Sequence, residues 1–398
     1  MDSVRLGEII RVRHGFAFPG ADFSDDVAYP TLVTPGNFAI GGGFKLARPK
    51  TFAGKVSSEY VLRPGALIVT MTDLSKEGAT LGLSAIVPGS GTFLHNQRIG
   101  LVEALDETAV DLKFLNYFLR TESYRAHVLA TASGSTVRHT SPSRIESFVA
   151  KLPAPDVQKA IAEVLGAFDD KIAANDLVAE AARDLARTYY NRVVSGTETV
   201  AMAKVLEPIL GGTPSRADLS LWDGSIPWVS AKDIANASHG VVLATSEGIS
   251  ADAASTKRLR ALPASSVVLT ARGTVGEVAR LGVAASVNQS CYAFVPRTIP
   301  SACLAFMVEN AALQARAMAH GSVFDTITMR TFEHVQIPRL NASEWPAIEV
   351  EIAPLLAVTT QAVTETTWLT QTRDELLPLL MSGKVRVRDV EQTVGDVL

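Results

Sequence analysis

Two stretches of the chain place apolar residues at alternating steps of four and three. In the first, Ile161, Leu165, Phe168, Ile172, Asn175, Ala179, Ala182, Ala186 and Tyr189 fall on one seam. In the second, Ile348, Ile352, Leu355, Thr359, Ala362, Thr366, Leu369, Arg373 and Leu376 do the same. This is the heptad spacing of a packed helical seam. Every position of the second seam is its partner in the first plus 187, as Ile348 is to Ile161 and Leu376 to Tyr189. The pattern predicts one helix from about Asp156, after Pro153 and Pro155, to about Val194, ahead of Ser195-Gly196. A second is introduced by Pro338 and Asn341 to Ser343 and ends before Ser382-Gly383. Pro346 fits its opening turn, whereas Pro354 and Pro378 predict a kink or local break. A helix of about 38 residues is about 57 Å long, too long to bury inside one small domain. With one apolar seam each, the two helices are expected to pack on each other. Antiparallel packing follows if both globular parts sit alike on the helix that follows them. Asn175, Thr359 and Arg373 interrupt the seam, either fixing its register or marking a loosely packed, exposed stretch.

The rest of the chain alternates short apolar runs with turns. Residues 1–154 carry Pro19-Gly20, Pro35-Gly36-Asn37, Gly41-Gly42-Gly43, Pro64-Gly65 and Pro88-Gly89, the punctuation of a mainly β unit, a curved sheet or partial barrel. A helix is expected from about Asp111 to Ala132. Residues 197–340 repeat the plan, with Gly211 to Ser215 and Pro263-Ala264-Ser265 as turns and Leu304 to Ala319 as the matching helix. The repeat is anchored by Gly134-Ser135 against Gly321-Ser322, Arg144-Ile145-Glu146 against Thr331-Phe332-Glu333, and Ser195-Gly196 against Ser382-Gly383. Lys151-Leu152-Pro153 aligns with Gln336-Ile337-Pro338 after a two-residue slip. Weaker echoes join Leu6 to Ile10 and Gly15 with Met202 to Leu206 and Gly211, Ala66 to Thr70 with Ser266 to Thr270, and Asn96-Gln97 with Asn288-Gln289. The predicted architecture is α+β: two mainly β domains, 1–154 and 197–340, each with a small helical part. Two long antiparallel helices, 155–196 and 341–383, separate them as a coiled coil with pseudo-two-fold symmetry, followed by a tail, 384–398.

Composition narrows the function. With 47% hydrophobic and 20% charged residues the 398-residue chain is of ordinary soluble type. No apolar run approaches about 20 residues and Met1 to Arg5 lacks a signal-peptide pattern, so a cytoplasmic, membrane-free protein is expected. Cys291 and Cys303 read as buried small hydrophobes. The net charge of -4 argues against nucleic-acid binding by bulk charge alone. Local basic clusters remain at Arg11, Arg13 and His14, at Lys45, Arg48, Lys50 and Lys55, and at Lys257, Arg258 and Arg260, serving as solvated surface or as phosphate contacts. No phosphate loop, His-Glu-x-x-His zinc motif, nucleophile elbow or Asn-Pro-Pro-aromatic tetrad occurs, so neither catalytic nor metal-binding residues are predicted. Gly273-Thr274-Val275-Gly276 reads first as a hairpin turn.

Four phrases carry a family resemblance: Gly211-Gly212-Thr213-Pro214-Ser215, Trp222 to Ile234, Arg272-Gly273-Thr274-Val275-Gly276 and Asn288-Gln289-Ser290. With Leu376 to Gly383, they resemble the DNA specificity (S) subunit of type I restriction-modification systems over essentially the whole chain. The first β unit departs most, with Gly15-Phe16-Ala17-Phe18 in place of Gly-Gly-Thr-Pro-Ser and a longer loop from Thr72 to Gly82. The resemblance implies two target recognition domains, each reading half of a split site in double-stranded DNA, and long helices that dock two methyltransferase (M) subunits and act as a ruler. It places S-adenosylmethionine on the M subunits, and ATP with Mg on restriction (R) subunits, leaving this chain without a cofactor and without catalysis. Arg11, Arg13, Lys257, Arg258 and Arg260 are then expected on phosphates. Arg98 beside Asn96-Gln97, and Lys232, Arg272 and Thr274, are expected at base edges, with Asn288 and Gln289 either on DNA or capping a turn. The competing reading is a scaffold that binds other proteins through two β units on a coiled-coil spacer; an intrinsic methyltransferase or nuclease lacks a motif. The tail at Val385-Arg386-Val387 lies where the repeat would restart, which predicts packing beside the N-terminal unit.

Overall fold

The computed structural model describes residues 3–46, 50–75, 77–319 and 326–394, so Arg48, Gly321-Ser322 and the last four tail residues lie outside the described part. The chain forms two compact units, residues 1–170 with 370–398, and residues 171–369. Each unit therefore owns a stretch of both long helices.

In the first unit a four-stranded sheet runs in the order Ile10–His14, Ile99–Ala104, Leu67–Thr70, Ser84–Ile86, all antiparallel. A five-stranded sheet contains Thr31–Val33 parallel to Phe93–His95. Leu67, Ile68, Val69 and Thr70 are all buried, as a central strand with both faces covered requires. Val33, Leu62 and Phe93 from one sheet meet Ile68, Ala85 and Ile99 from the other in one core cluster. Each of the larger of these side chains contributes roughly 1.5–3 kcal/mol by burial.

The second unit reproduces these ladders. Ile209–Leu210, Cys291–Phe294, Val267–Thr270 and Val278–Leu281 follow one another in a five-stranded sheet, and Ser286–Val287 runs parallel to the end of Trp222–Val229. Registers match as well as order. His14 faces Gly100 where Leu210 faces Tyr292, and Gly100 faces Val69 where Tyr292 faces Leu269. Ser3 pairs with Lys151 where Thr199 pairs with Pro338, so Lys151 is the counterpart of Pro338 and the offset of 187 is kept. The two-residue slip expected there is corrected: strand pairing, which one sequence does not display, fixes the alignment.

The long helices span Pro155–Val194 and Trp345–Met381. Of the kink or local break expected at Pro354 and Pro378, the break does not occur: the helix runs through both. Each proline removes a single donor and sits exposed, while Ile352 and Leu356 flank the first, and Leu377 and Leu380 the second, as buried anchors. In the second unit Asn175 Nδ2 donates to Glu365 at 3.0 Å and Thr359 Oγ1 to the Ala179 carbonyl at 3.4 Å, so the helices there run antiparallel. Ile161, Leu165, Phe168, Asn175, Ala179, Ala182 and Ala186 are buried, as are Ile348, Ile352, Thr359, Ala362 and Leu369; Ile172 is half-buried. Tyr190, Leu356 and Leu377 are buried in place of the half-buried Tyr189, Leu355 and Leu376. A helix of 3.6 residues per turn drifts about 20° per heptad against a 3.5-residue pattern, so by Tyr190 and Leu377, about four heptads along, the buried stripe has moved over by about one residue. Asn175 and Thr359 are buried and bonded in the seam, and Arg373 is paired with Asp169, which rules out a loosely exposed stretch.

The helix expected over 111–132 is two, Leu112–Phe118 and Glu122–Thr131. Thr121 is extended and its hydroxyl caps the Phe118 carbonyl at 2.7 Å, ending one helix as the next begins. Its counterpart is continuous, Ser301–Ala319. The tail forms a helix, Val387–Val394, within the first unit, with Val390 buried.

Candidate nucleic-acid interface

In the second unit the phrases Gly211-Gly212, Ser230 to Ile234, Ala271-Arg272 and Asn288 to Ser290 meet at one edge of the sheets. A Cβ on Gly211 would lie 2.1 Å from the Val287 carbonyl oxygen, so only glycine permits this crossing. Gly212 N donates to Val287 O, and Trp228 Nε1 donates back to Gly212 O at 3.1 Å. Arg258 backs onto Gly212. Asn288 N donates to Val229 O, beside Ser230, whose capping box with Asp233 starts the short helix Ala231–Ala235 and leaves Lys232 exposed. Ala271 N donates to Ser290 O, which brings Arg272 alongside. Lys232, Arg258, Arg272, Asn288 and Gln289 thus gather, with Lys257 and Arg260 exposed on the segment that carries Arg258.

Arg272 to Gly276 is a hairpin loop, closed by Gly276 N to Thr270 O and Thr270 N to Glu277 O, both 2.9 Å. Arg316 braces it from the helix behind, donating to Val275 O and to Glu277 Oε1. Arg272 and Thr274 project as exposed residues.

The first unit builds the same edge from different side chains. Gly15 crosses 2.2 Å (Cβ to oxygen) from the His95 carbonyl, Phe16 N donates to His95 O, and Gln97 N to Phe16 O. Thr34 and Asn37 form the capping box that Ser230 and Asp233 form in the second unit. Met71 N donates to Arg98 O as Ala271 N does to Ser290 O, so Asn96, Gln97 and Arg98 correspond to Asn288, Gln289 and Ser290. Gln97, Arg98 and Lys50 line a recess of about 270 Å³ with Phe18, Phe23 and Thr34, and the Lys50 ammonium stands 4.2 Å from the centre of the Phe23 ring.

The loop from Thr72 to Gly82 closes like its counterpart, Gly82 N donating to Thr70 O, but is folded around Asp73. Burial raises the Asp73 carboxyl; hydrogen bonds from Ser75 N, Thr80 N and Thr80 Oγ1 outweigh it and hold the pKa down at about 2. Arg125 braces this loop through the Gly78 and Ala79 carbonyls, as Arg316 does in the second unit.

Arg11 and Arg13 precede the crossing at Gly15. They lie on the strand Ile10–His14, where Arg13 pairs with Glu103 at 2.9 Å and lines a recess of about 680 Å³ with Glu59 and Glu107. Arg11 lies about 16 Å along the strand from Phe16. The side chains that sequence reasoning missed are Phe16, exposed beside Gln97, and Arg216, stacked 3.6 Å over Trp222 and bidentate to Glu247. Trp222 is in a recognisable phrase, but Glu247, the partner of Arg216, is remote in sequence. Cys291 and Cys303 are buried, and burial pushes the Cys291 thiol up to about 12. Among the described residues no cluster of three or more His, Cys, Asp or Glu side chains is placed to hold a metal ion.

The type I restriction modification DNA specificity domain family matches this chain twice, over residues 1–178 and 195–347. The specificity subunit of the type I restriction enzyme MjaIX of Methanocaldococcus jannaschii is 28% identical over 131 residues, 32% of this chain and 30% of that one. That of HindI from Haemophilus influenzae is 21% identical over 316 residues, 76% of this chain and 66% of the relative, so the chain spans less than two thirds of either. The crystal structure of the type I restriction-modification S subunit from M. genitalium shares the fold, with a TM-score of 0.61 at 14% identity over 95% of both chains. By two matched segments that follow its own internal repeat, the chain belongs to the type I restriction-modification DNA specificity family, as a specificity subunit with two copies of that domain.

Proposed function

We propose that this chain reads a bipartite site in double-stranded DNA, one half with each domain, and docks two methyltransferase subunits on its long helices. The observation that carries the reading is the pair of equivalent edges, built on one backbone frame and furnished with different side chains. Two such edges suit two different half-sites. Lys257, Arg258 and Arg260 position the second domain on phosphates, while Arg98, Lys232, Arg272 and Thr274 reach base edges. The M subunits supply S-adenosylmethionine, and R subunits add ATP and Mg where they join. The long helices leave Leu177, Leu185, Val350 and Trp368 exposed, apolar surface suited to M. Trp345–Met381 is apolar and long enough to cross a membrane by composition, yet Ile348, Ile352, Leu356 and Leu369 are core residues. These buried anchors support reading it as a helix of the protein core, in keeping with a cytoplasmic location.

With a net charge of -4, the chain alone binds DNA weakly and the complex with M binds strongly. Selection from a randomised DNA pool tests this. The complex enriches one bipartite sequence, and Arg272→Ala relaxes one half of it only. A protein-binding scaffold would enrich none.

A further inference from the structure

We infer that Gln97 and Gln289 each read an adenine, one in each half of the site. The inference rests on the DNA-reading function above. The two glutamines occupy the tips of superimposable turns. Ile99 N donates to Asn96 O and Cys291 N to Asn288 O, both at 3.0 Å, closing each turn over four residues. The asparagine that opens each turn is spent on it: Asn96 Oδ1 accepts from Arg98 N at 3.0 Å and Asn288 Oδ1 from Ser290 N at 2.6 Å. Asn96 and Asn288 are thus turn-capping residues. The glutamine next in each turn is exposed, and its side-chain amide makes no hydrogen bond among the described residues.

Around this constant feature the edge varies. Phe16 stands where the second domain has Gly212, Gly36 where it has Lys232, and Arg98 where it has Ser290. Positions that differ between the domains are matched to what differs between the half-sites. A residue kept at the same turn position in both is matched to what they have in common. A glutamine amide offers one donor and one acceptor side by side, the complement of adenine N7 and N6 in the major groove.

The test uses the full chain assembled with its methyltransferase subunits and the sequence enriched from the pool. Replacing each adenine in turn by 7-deazaadenine removes N7 alone. One adenine in each half-site then weakens binding by about tenfold. Gln97→Ala abolishes that sensitivity in one half and Gln289→Ala in the other, with thermal unfolding unchanged because both side chains are exposed. Gln97→Glu moves the preference at its position from adenine to cytosine, whose N4 donates to a carboxylate. Indifference of the parent complex to every 7-deaza substitution, a half-site without adenine, or equal losses on scrambled DNA overturns the inference while leaving the bipartite function standing. Failure to enrich any bipartite sequence overturns the function itself.

Discussion

His95 and Val287 occupy one position in the two domains, each in a parallel ladder beside Val33 or Val229, yet one is ionisable. His95 is 1% exposed and its Nε2 contacts the Ile99 carbonyl at 2.9 Å. Burial holds its pKa down at about 4, against 6.5 ordinarily. Between those values the unfolded chain binds a proton that the folded domain refuses, so stability falls as pH drops from 6.5 towards 4, by up to roughly 3 kcal/mol. Unfolding of the parent and of His95→Val at pH 7 and pH 5 checks this: the parent loses more on acidification, and an equal loss in both sinks the assignment. No sequence pattern announced the burial of this histidine. The dipeptide echo Asn96-Gln97 and Asn288-Gln289 was legible because both residues do the same work in both domains. The pairing of Arg13 with Glu103 was not legible, because Glu103 arrives from a strand some 90 residues away. Basic clusters along the sequence report composition, whereas an edge is assembled from strand ends that only the ladders bring together.

Helices were legible at the scale of the element because a seam repeats its own signal. Their phase was right at the start and one residue off at the far end, at Tyr190 and Leu377, because helical drift accumulates over about four heptads; Leu356 is a local departure, with Thr359, Ala362 and Leu369 back in phase. The seam showed Arg373 as a polar interruption but not its partner. In the first unit Asp169 accepts from Tyr117 Oη at 2.7 Å and from Arg373 Nη1 at 2.5 Å, joining a domain helix to both long helices. Arg373 keeps only 15% of its side chain exposed, and Asp169 33%. Asp169→Ala leaves the guanidinium with Asp374 alone and strands the phenol. Breaking a fully buried pair costs about 3–5 kcal/mol; partial exposure brings the expectation here to about 2 kcal/mol. Denaturant unfolding of Asp169→Ala, Arg373→Ala and the double variant measures it, and additive effects with no coupling would show that the pair contributes nothing.

For the whole molecule, the repeat has a consequence that neither domain has alone. The first unit takes in residues 370–398, so its helical part is completed by chain that follows the second domain. Residues 1–196 by themselves keep Ile161, Leu165 and Phe168 but lose Leu377 and Leu380, and would leave an apolar seam in water. The missing helix has a surrogate, because residues 158–194 repeat as 345–381 in the same phase. In the intact chain Asn175 faces Glu365 and Ala179 faces Thr359. Subtracting the 187-residue offset puts Val178 opposite Asn175 and Ile172 opposite Ala179, an antiparallel self-pairing centred near Asp176. The fragment 1–196 is therefore expected to form a symmetric homodimer through this helix, with twice the fragment mass in light scattering. Asn175→Asp, placing two carboxylates near the dyad, weakens that dimer more at low than at high ionic strength. A stable, fully folded monomer would mean that the first unit has no need of the second helix, and that the duplication serves recognition alone.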